Sequence, residues 1–263
     1  MSRQNFYKEK RTRKRREVDE DLIVELIKSE RRKHPKMGGR KLQDKLESEF
    51  AKAGVKVGRD RFFEILRNHG LLVKRRKSRS PRTTNSRHRF RTYENLLKEF
   101  QPDGIHQAWV SDLTYIRTEE GFMYMSHVTD SHSRKIIGFN IGDSLESVGC
   151  IKALEQALEQ LPGGYQPIHH SDRGTQYCCY EYVNKLKANG LKISMTEKNH
   201  CYENAQAERV IGILKNEYGL GYTFNTKQDA VKAASQAVKL YNEDRPHTSL
   251  GYRMPSAVHR QAA

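Results

Sequence analysis

Three carboxylates stand apart from the other acids of this sequence. Asp112 interrupts the apolar stretch AWVSDLTYI, Asp172 ends QPIHHSD, and Glu208 falls early in AQAERVIGILKNEY; 35 residues lie between the last two. An acid on a strand face shared with Val110, Thr114 and Ile116 is costly unless something pairs with it, and a metal ion is such a partner. Hard divalent cations take oxygen ligands, and two of them about 4 Å apart clamp the attacking and leaving oxygens of a phosphodiester exchange. Lys215 lies seven residues past Glu208, two helical turns on and nearly on the same face, where it would meet an adjacent phosphate. Each residue alone also has a plain structural reading: a strand Asp can serve a hairpin, and helical Glu–Lys pairs are commonly solvated. The rival acids are accounted for locally. Asp130 and Asp143 sit at strand ends beside Ser131 and Ser144, as turn caps do. Glu217 falls in the last turn of its helix, where the dipole disfavours it, and is expected to be exposed.

The elements that must position these acids follow from hydrophobic period. From Ala108 the period is two: AWVSDLTYIRT, GFMYMSHVTDS and RKIIGFNIGDS read as three strands joined by short turns, hence antiparallel hairpins. A helix over 144–161 follows, then a short strand ending at Asp172, a helix over Gln176–Ala188 closed by Gly190, and a strand, LKISMT. Next comes a helix opened by Asn204 as N-cap and carrying Glu208, with Ala207, Val210, Ile211 and Leu214 as its buried stripe. A last long helix spans Lys227–Tyr241. The fold class is α/β, a mixed sheet flanked by helices, and Trp109 is expected in its core.

Upstream the period is helical. Leu22, Ile23, Leu26 and Ile27 mark one helix over Glu17–Lys33, stopped by Pro35 and Gly38-Gly39. GRKLQDKLESEF marks a second, and RDRFFEILRNHG a third, capped by Gly70. Three short helices with a Gly-containing turn before the last match a helix-turn-helix, whose exposed Arg59, Arg61 and Arg67 would face a DNA major groove. A plain three-helix bundle with solvated arginines would show the same pattern; charge tips the balance. Residues 1–100 hold 31 Lys and Arg against 14 acids, residues 101–263 hold 17 against 18, and the net +16 therefore belongs to the N-terminal part. Such asymmetry marks polyanion binding. The organisation expected is a basic arm, 1–16, unstructured until bound; a helix-turn-helix domain, 17–72; a basic linker with a short helix over Glu94–Phe100, 73–104; and a catalytic domain, 105–263. In the linker Arg75, Arg76, Lys77 and Arg79 would track a phosphate backbone.

No apolar leader follows the first residues, and no run of 18 apolar residues exists to cross a membrane. Cys150, Cys178, Cys179 and Cys201 lack C-x-x-C spacing, and with His169 and His170 they fit no standard zinc site. These features point to reduced thiols in a cytoplasmic, nucleoid-associated protein.

The stretches WVSDLTYI, IHHSDRGTQY, NHCYENAQAERVIGILKNEY and YNEDRPHTSLGYRMP, in this order, resemble the second-frame (OrfB) transposases of IS-three family insertion sequences, within the retroviral-integrase-like DDE superfamily. The resemblance covers about residues 105–260 and, more loosely, the helix-turn-helix region. It implies a ribonuclease-H-like catalytic fold, with Asp112, Asp172 and Glu208 as the acidic triad and Lys215 as its trailing base. It also implies two Mg²⁺ ions (Mn²⁺ as substitute), strand cleavage that frees a 3′-hydroxyl, and strand transfer by that hydroxyl. His170, Arg173, Arg245 and His247 would then support the ligands or touch phosphates. The partners implied are terminal inverted repeats, target DNA, further copies of the chain on DNA, and a first-frame product to which the chain is fused or partnered. Glu203 departs from the family, which commonly has Asp before Asn204-Ala205. Two alternatives remain: a metal-dependent nuclease, and a DNA-binding regulator with a dead nuclease fold, which would show a broken triad.

Overall fold

The computed structural model describes residues 2–74, 88–197 and 201–261. The chain divides into two compact units, Met1–Lys77 with Pro246–Tyr252, and Ser78–Arg245 with Arg253–Ala263. The first contains α1 (Arg3–Lys33), α2 (Gly39–Lys52) and α3 (Arg59–Asn68). Ile23, Ile27, Leu42, Leu46, Phe62 and Leu66 meet in one core, as helical spacing requires. Gly70 takes φ 65°, and the Leu71 amide bonds the Leu66 carbonyl at 2.7 Å, the left-handed closure a C-terminal glycine allows. Of the segment expected as an unstructured arm, 1–16, residues 3–16 are instead part of α1. The Ser2 hydroxyl accepts from the Asn5 amide at 3.2 Å, and neither Gly nor Pro interrupts the chain from Arg3 to Lys33. Lys, Arg and Glu are good helix formers, so nothing stops the helix short of its cap.

The second unit is built on one sheet. β1 (Ala108–Thr118), β2 (Gly121–Asp130) and β3 (Ile136–Gly142) form an antiparallel meander. β4 (Ile168–Ser171) runs parallel to β1, and β5 (Lys192–Met195) parallel to β4, so the order is β3-β2-β1-β4-β5. A two-residue strand that sequence pattern does not reveal, β6 (Thr223–Phe224), pairs with the far end of β1.

Helices cover both faces. α4 (Ser147–Leu158), α5 (Thr175–Cys178) and α6 (Tyr180–Ala188) close over Trp109, Val128 and Ile137 on one side. α7 (Ala205–Glu217) and α8 (Lys227–Glu243) close over Ile116, Met123, Met125 and Ile136 on the other. α9 (Pro255–Gln261), also unforeseen, ends the described chain.

Two expected elements differ. The helix expected over Gln176–Ala188 breaks at Cys179, which is extended (φ −65°, ψ 151°). In an unbroken helix Tyr177 and Tyr182 would point about 140° apart; the break turns both inward, their rings 5.3 Å apart. Residues 94–100 form no helix. The Glu94 carbonyl accepts from Met195 at 3.3 Å and the Leu96 amide donates to Ser194 Oγ at 2.8 Å, so this backbone is committed to β5 rather than to itself.

The approach of α4 to the sheet depends on one missing side chain. Val128 pairs with Gly138 and Thr129 with Ile136, leaving Ile137 as a bulge that turns Gly138 towards α4. A Cβ on Gly138 would stand 2.0 Å from the Ala153 carbonyl oxygen, a backbone atom that moves only with its helix. Gly138→Ala should therefore cost at least ~1–3 kcal/mol, read as a lowered midpoint in thermal or urea unfolding.

Candidate active site

Strand register brings the first two acids together. Ala108, Trp109 and Val110 of β1 oppose Ile168, His169 and His170 of β4. Continued two places, the same parallel register opposes Asp112 to Asp172, with both side chains on one face. β4 ends at Ser171, and among the described residues no strand pairs with β1 on that edge until Arg117 meets β6. Asp112 thus lies on an open strand edge, and Asp172 at the carboxyl end of the strand beside it, where sheets of this kind leave room for ligands. The turn after β4 fixes Asp172: its Oδ1 accepts from the Gly174 amide at 2.9 Å. The Asp112 Oδ1 accepts from the Leu113 amide at 2.8 Å.

Glu208 comes from the helix packed on the face of β1 that carries Asp112 and Ile116. It is the fourth residue of α7, whose Val210, Ile213 and Leu214 pack with Ile116 beneath it, and it stays on the exposed rim. The three charges feel one another. Burial lifts the Asp112 carboxyl from 3.8 to about 8; Asp172 and Glu208 push the same way, against the Leu113 amide and Lys215. Burial and Asp172 also raise Glu208. Lys215 is half-buried with its Nζ 4.2 Å from the Tyr115 ring centroid; burial lowers its pKa while Asp112 holds it up. A cluster of oxygen donors that destabilise one another's ionised forms is the donor set a hard divalent cation neutralises.

A buried network behind the acids joins their three carrier segments. Ser111 precedes Asp112, and its carbonyl accepts from Asn204 Nδ2 at 3.0 Å. Its hydroxyl lies 2.8 Å from His169 Nε2, which is 2.9 Å from the Tyr182 hydroxyl. Asn204 opens α7 without the side-chain cap bond expected of it; its amide is committed to β1 instead. The three segments bearing Asp112, Asp172 and Glu208 are thereby fastened at Ser111, His169 and Asn204. Burial drives the His169 pKa down to about 3, so the imidazole is neutral. Sequence reading passed over Ser111 and Tyr115 and misjudged Asn204; the only available signal was their nearness along the chain to the acids.

The other predicted contacts divide. His170 is fully buried, its Nδ1 2.8 Å from Ser194 Oγ, and burial pushes it to about 4; it braces β4 against β5. Arg173 is half-buried and donates from Nε to the Thr196 carbonyl at 2.6 Å. Arg245 is buried, gripping Glu217 with two bonds of 2.8 and 2.9 Å. This corrects two expectations at once: Glu217 is not exposed, and the fork of Arg245 is already taken by a carboxylate. His247 is buried too, Nδ1 3.0 Å from Ser249 Oγ. Asp130 is the turn cap expected, accepting from the Ser133 amide at 2.7 Å and also from His106. In the first unit Arg59 and Arg67 are exposed on α3, Arg59 beside Asp60, whereas Arg61 pairs with Glu20 and Glu64. Arg75, Arg76, Lys77 and Arg79 lie outside the described residues.

Two models described as integrase core domain match the chain, over residues 102–201 and 189–255. The chain is 38% identical over 258 residues to the insertion element IS600 uncharacterized 31 kDa protein of Shigella sonnei, covering 95% of this chain and 92% of that one. It is 31% identical over 243 residues to transposase InsF for insertion sequence IS3A of Escherichia coli (strain K12), covering 92% and 81%. A chain in the cryo-EM structure of a simian T-cell lymphotropic virus intasome in complex with PP2A regulatory subunit B56 gamma superposes with a TM-score of 0.51 at 16% identity, over 85% of this chain and 70% of that one. The likeness is one of fold: a mixed sheet with helices on both faces, ribonuclease-H-like as the sequence resemblance implied.

Two stability measurements test this electrostatic account. The Asp112 carboxyl is raised on folding, so its ionisation weakens the fold increasingly as pH climbs from about 4 to about 8. In chelator, Asp112→Asn should melt with the parent near pH 4 and above it near pH 8; equal melting at both would refute the strain. Asn204→Ala strips a buried bond and should lower stability by ~1–3 kcal/mol, measured by denaturant unfolding.

Proposed function

The chain belongs to the insertion-sequence transposases of the IS-three family, enzymes that cut and join DNA, and on that premise we propose that Asp112, Asp172 and Glu208 are its catalytic acids. The observation that supports this reading is the mutual influence of the three acids, Asp172 and Glu208 both raising Asp112, where the β1–β4 ladder of Ala108–Val110 on Ile168–His170 runs on towards Asp112 and Asp172. The fit to a metal rests on the donors themselves, carboxylate oxygens of which Asp112 and Glu208 are raised by burial and then by neighbouring acids. These residues would hold two divalent ions, Mg²⁺ or in its place Mn²⁺, which when bound offset the charge developing on the phosphate and its oxygens.

The chain's own groups supply the rest. Asp172 is held by the Gly174 amide and Asp112 by that of Leu113, so two carboxylates are oriented before any ligand arrives. Lys215, beside Asp112 and over Tyr115, is placed to meet a phosphate next to the bond that breaks. Hydrolysis of one phosphodiester frees a 3′-hydroxyl. That hydroxyl then displaces the leaving oxygen of a second phosphodiester, its proton lost to solvent, so bonds broken and made balance and no protein–DNA bond is needed.

The first unit would read the terminal inverted repeats through a helix-turn-helix at α3, with Arg59 and Arg67 outward and Arg61 shared with its ion pairs. Two ends must be held at once, so the working species would be several copies on DNA, alone or with a first-frame product, at the nucleoid. The domain scheme proposed is the one read from sequence, 17–72 for end recognition and 105–263 for chemistry.

The test incubates the protein with labelled element-end DNA and Mg²⁺ or Mn²⁺. Joined products are expected from the parent. Asp172→Asn should abolish cutting and joining by at least a hundredfold while end binding stays within about twofold, since one such group typically contributes 10²–10³ or more. Joining by that variant at the parent's rate would remove the assignment, and cleavage with no joined product would point to a nuclease.

A further inference from the structure

An acidic site that must receive DNA has an electrostatic difficulty: its carboxylates repel the phosphates it acts on. Residues 101–263 are close to neutral as a whole, so cations have to be gathered locally beside the acids. One gathering lies on the segment 88–97, which sequence reading treated as the end of a basic linker running into a short helix at Glu94.

The segment is a strap of irregular backbone pinned at both ends. At its start His88 Nε2 is 2.9 Å from the carbonyl oxygen of Arg173, the residue after Asp172. Towards its end the Glu94 carbonyl and the Leu96 amide are bonded to Met195 and Ser194 of β5. Between these pins burial alternates: His88, Phe90 and Tyr93 turn inward, Arg89 and Arg91 outward. Phe90 packs edge-on against Tyr180 at 5.6 Å, and Tyr180 is 72% exposed, above every other large apolar or aromatic side chain described. Two cations, Arg91 at 5.2 Å and Lys187 at 6.0 Å, converge on the Tyr93 ring. Among the described residues neither has a carboxylate within ion-pair distance. The strap's single acid, Glu94, sits past this cluster with its carbonyl spent on β5.

We propose that this strap is a guide for a DNA strand leading to Asp172: Arg89, Arg91 and Lys187 take successive phosphates, and Tyr180 offers its face to an unstacked base. Cations that have no carboxylate partner among the described residues, set beside one exposed aromatic face, suit a single strand, whose bases are free to stack. The latch from His88 to Arg173 ties the guide to the turn bearing Asp172, so a strand held on the strap is delivered beside the acids. The proposal rests on the second unit acting on DNA, but its first test requires no bond to be cut.

That test uses the full chain and end DNA with a single-stranded overhang, in chelator. Affinity is followed against salt for the parent and for Arg89→Ala/Arg91→Ala, whose exposed positions leave the fold intact. Each single-strand phosphate contact contributes about 0.7 to the slope of log affinity on log salt, so the double variant should lose about 1.4. Tyr180→Ala should weaken overhang binding about tenfold, with Tyr180→Phe restoring it and blunt duplex unaffected, since one stacked base is worth ~1–3 kcal/mol. An unchanged slope, or equal loss with Phe and Ala, overturns the proposal. With Mg²⁺, the same double variant should raise KM at least tenfold with kcat within twofold. If the parent cuts nothing, the functional reading fails while the salt slope still decides the strap.

Discussion

Like charges held close together set the terms for the second unit. Burial raises the proton affinity of Asp112 and Glu208, Asp172 raises both further and Glu208 adds to Asp112, and nothing in the chemistry of these acids keeps them near each other. The surrounding structure has to supply that restraint, and it does so with backbone register rather than with side-chain pairs. β1 and β4 run parallel and in step, which makes the spacing of Asp112 and Asp172 a property of the sheet. Sheets are stiff in this direction because every residue on the ladder shares the load.

What register does for two acids, a buried polar network does for the third. Ser111 accepts from Asn204 with its carbonyl and meets His169 with its hydroxyl, and His169 meets Tyr182. Each partner lies within four residues of an acid or, for Tyr182, on the helix that covers their strands. Buried hydrogen bonds of this sort contribute modestly when made and cost several times more when half-made. They therefore favour one arrangement of β1, β4 and α7 over near alternatives. The break at Cys179 belongs to the same logic, because it swings Tyr177 and Tyr182 onto one side of His169.

Much of this was legible along the chain. β1 was read to its observed ends, because alternation of apolar and polar residues is a local property and a central strand has little freedom to ignore it. The closures at Gly70 and Gly190 were legible for the same reason. Misreadings fall where the deciding partner is remote. Arg245, His170 and His247 carry polar groups that sequence places at a surface, yet each is buried on a partner or in a core; Glu217, 28 residues from Arg245, could not be matched to it by spacing. Residues 94–100 have a plausible helical pattern, but β5, a hundred residues downstream, claims their backbone.

The sequence by itself set Asp112, Asp172 and Glu208 apart from the other acids and carried the main run of strands and helices and the uneven charge, since residue types, periodicity and composition are carried by neighbours along the chain. Tertiary structure alone decided that the strand leading to Asp172 pairs in parallel with the one bearing Asp112, that Asn204 ties to Ser111 instead of capping its helix, and which cations are spent on internal pairs and which face outward on the strap. Those outcomes depend on distances between segments far apart in the polypeptide, and such distances exist only after the sheet has chosen its register.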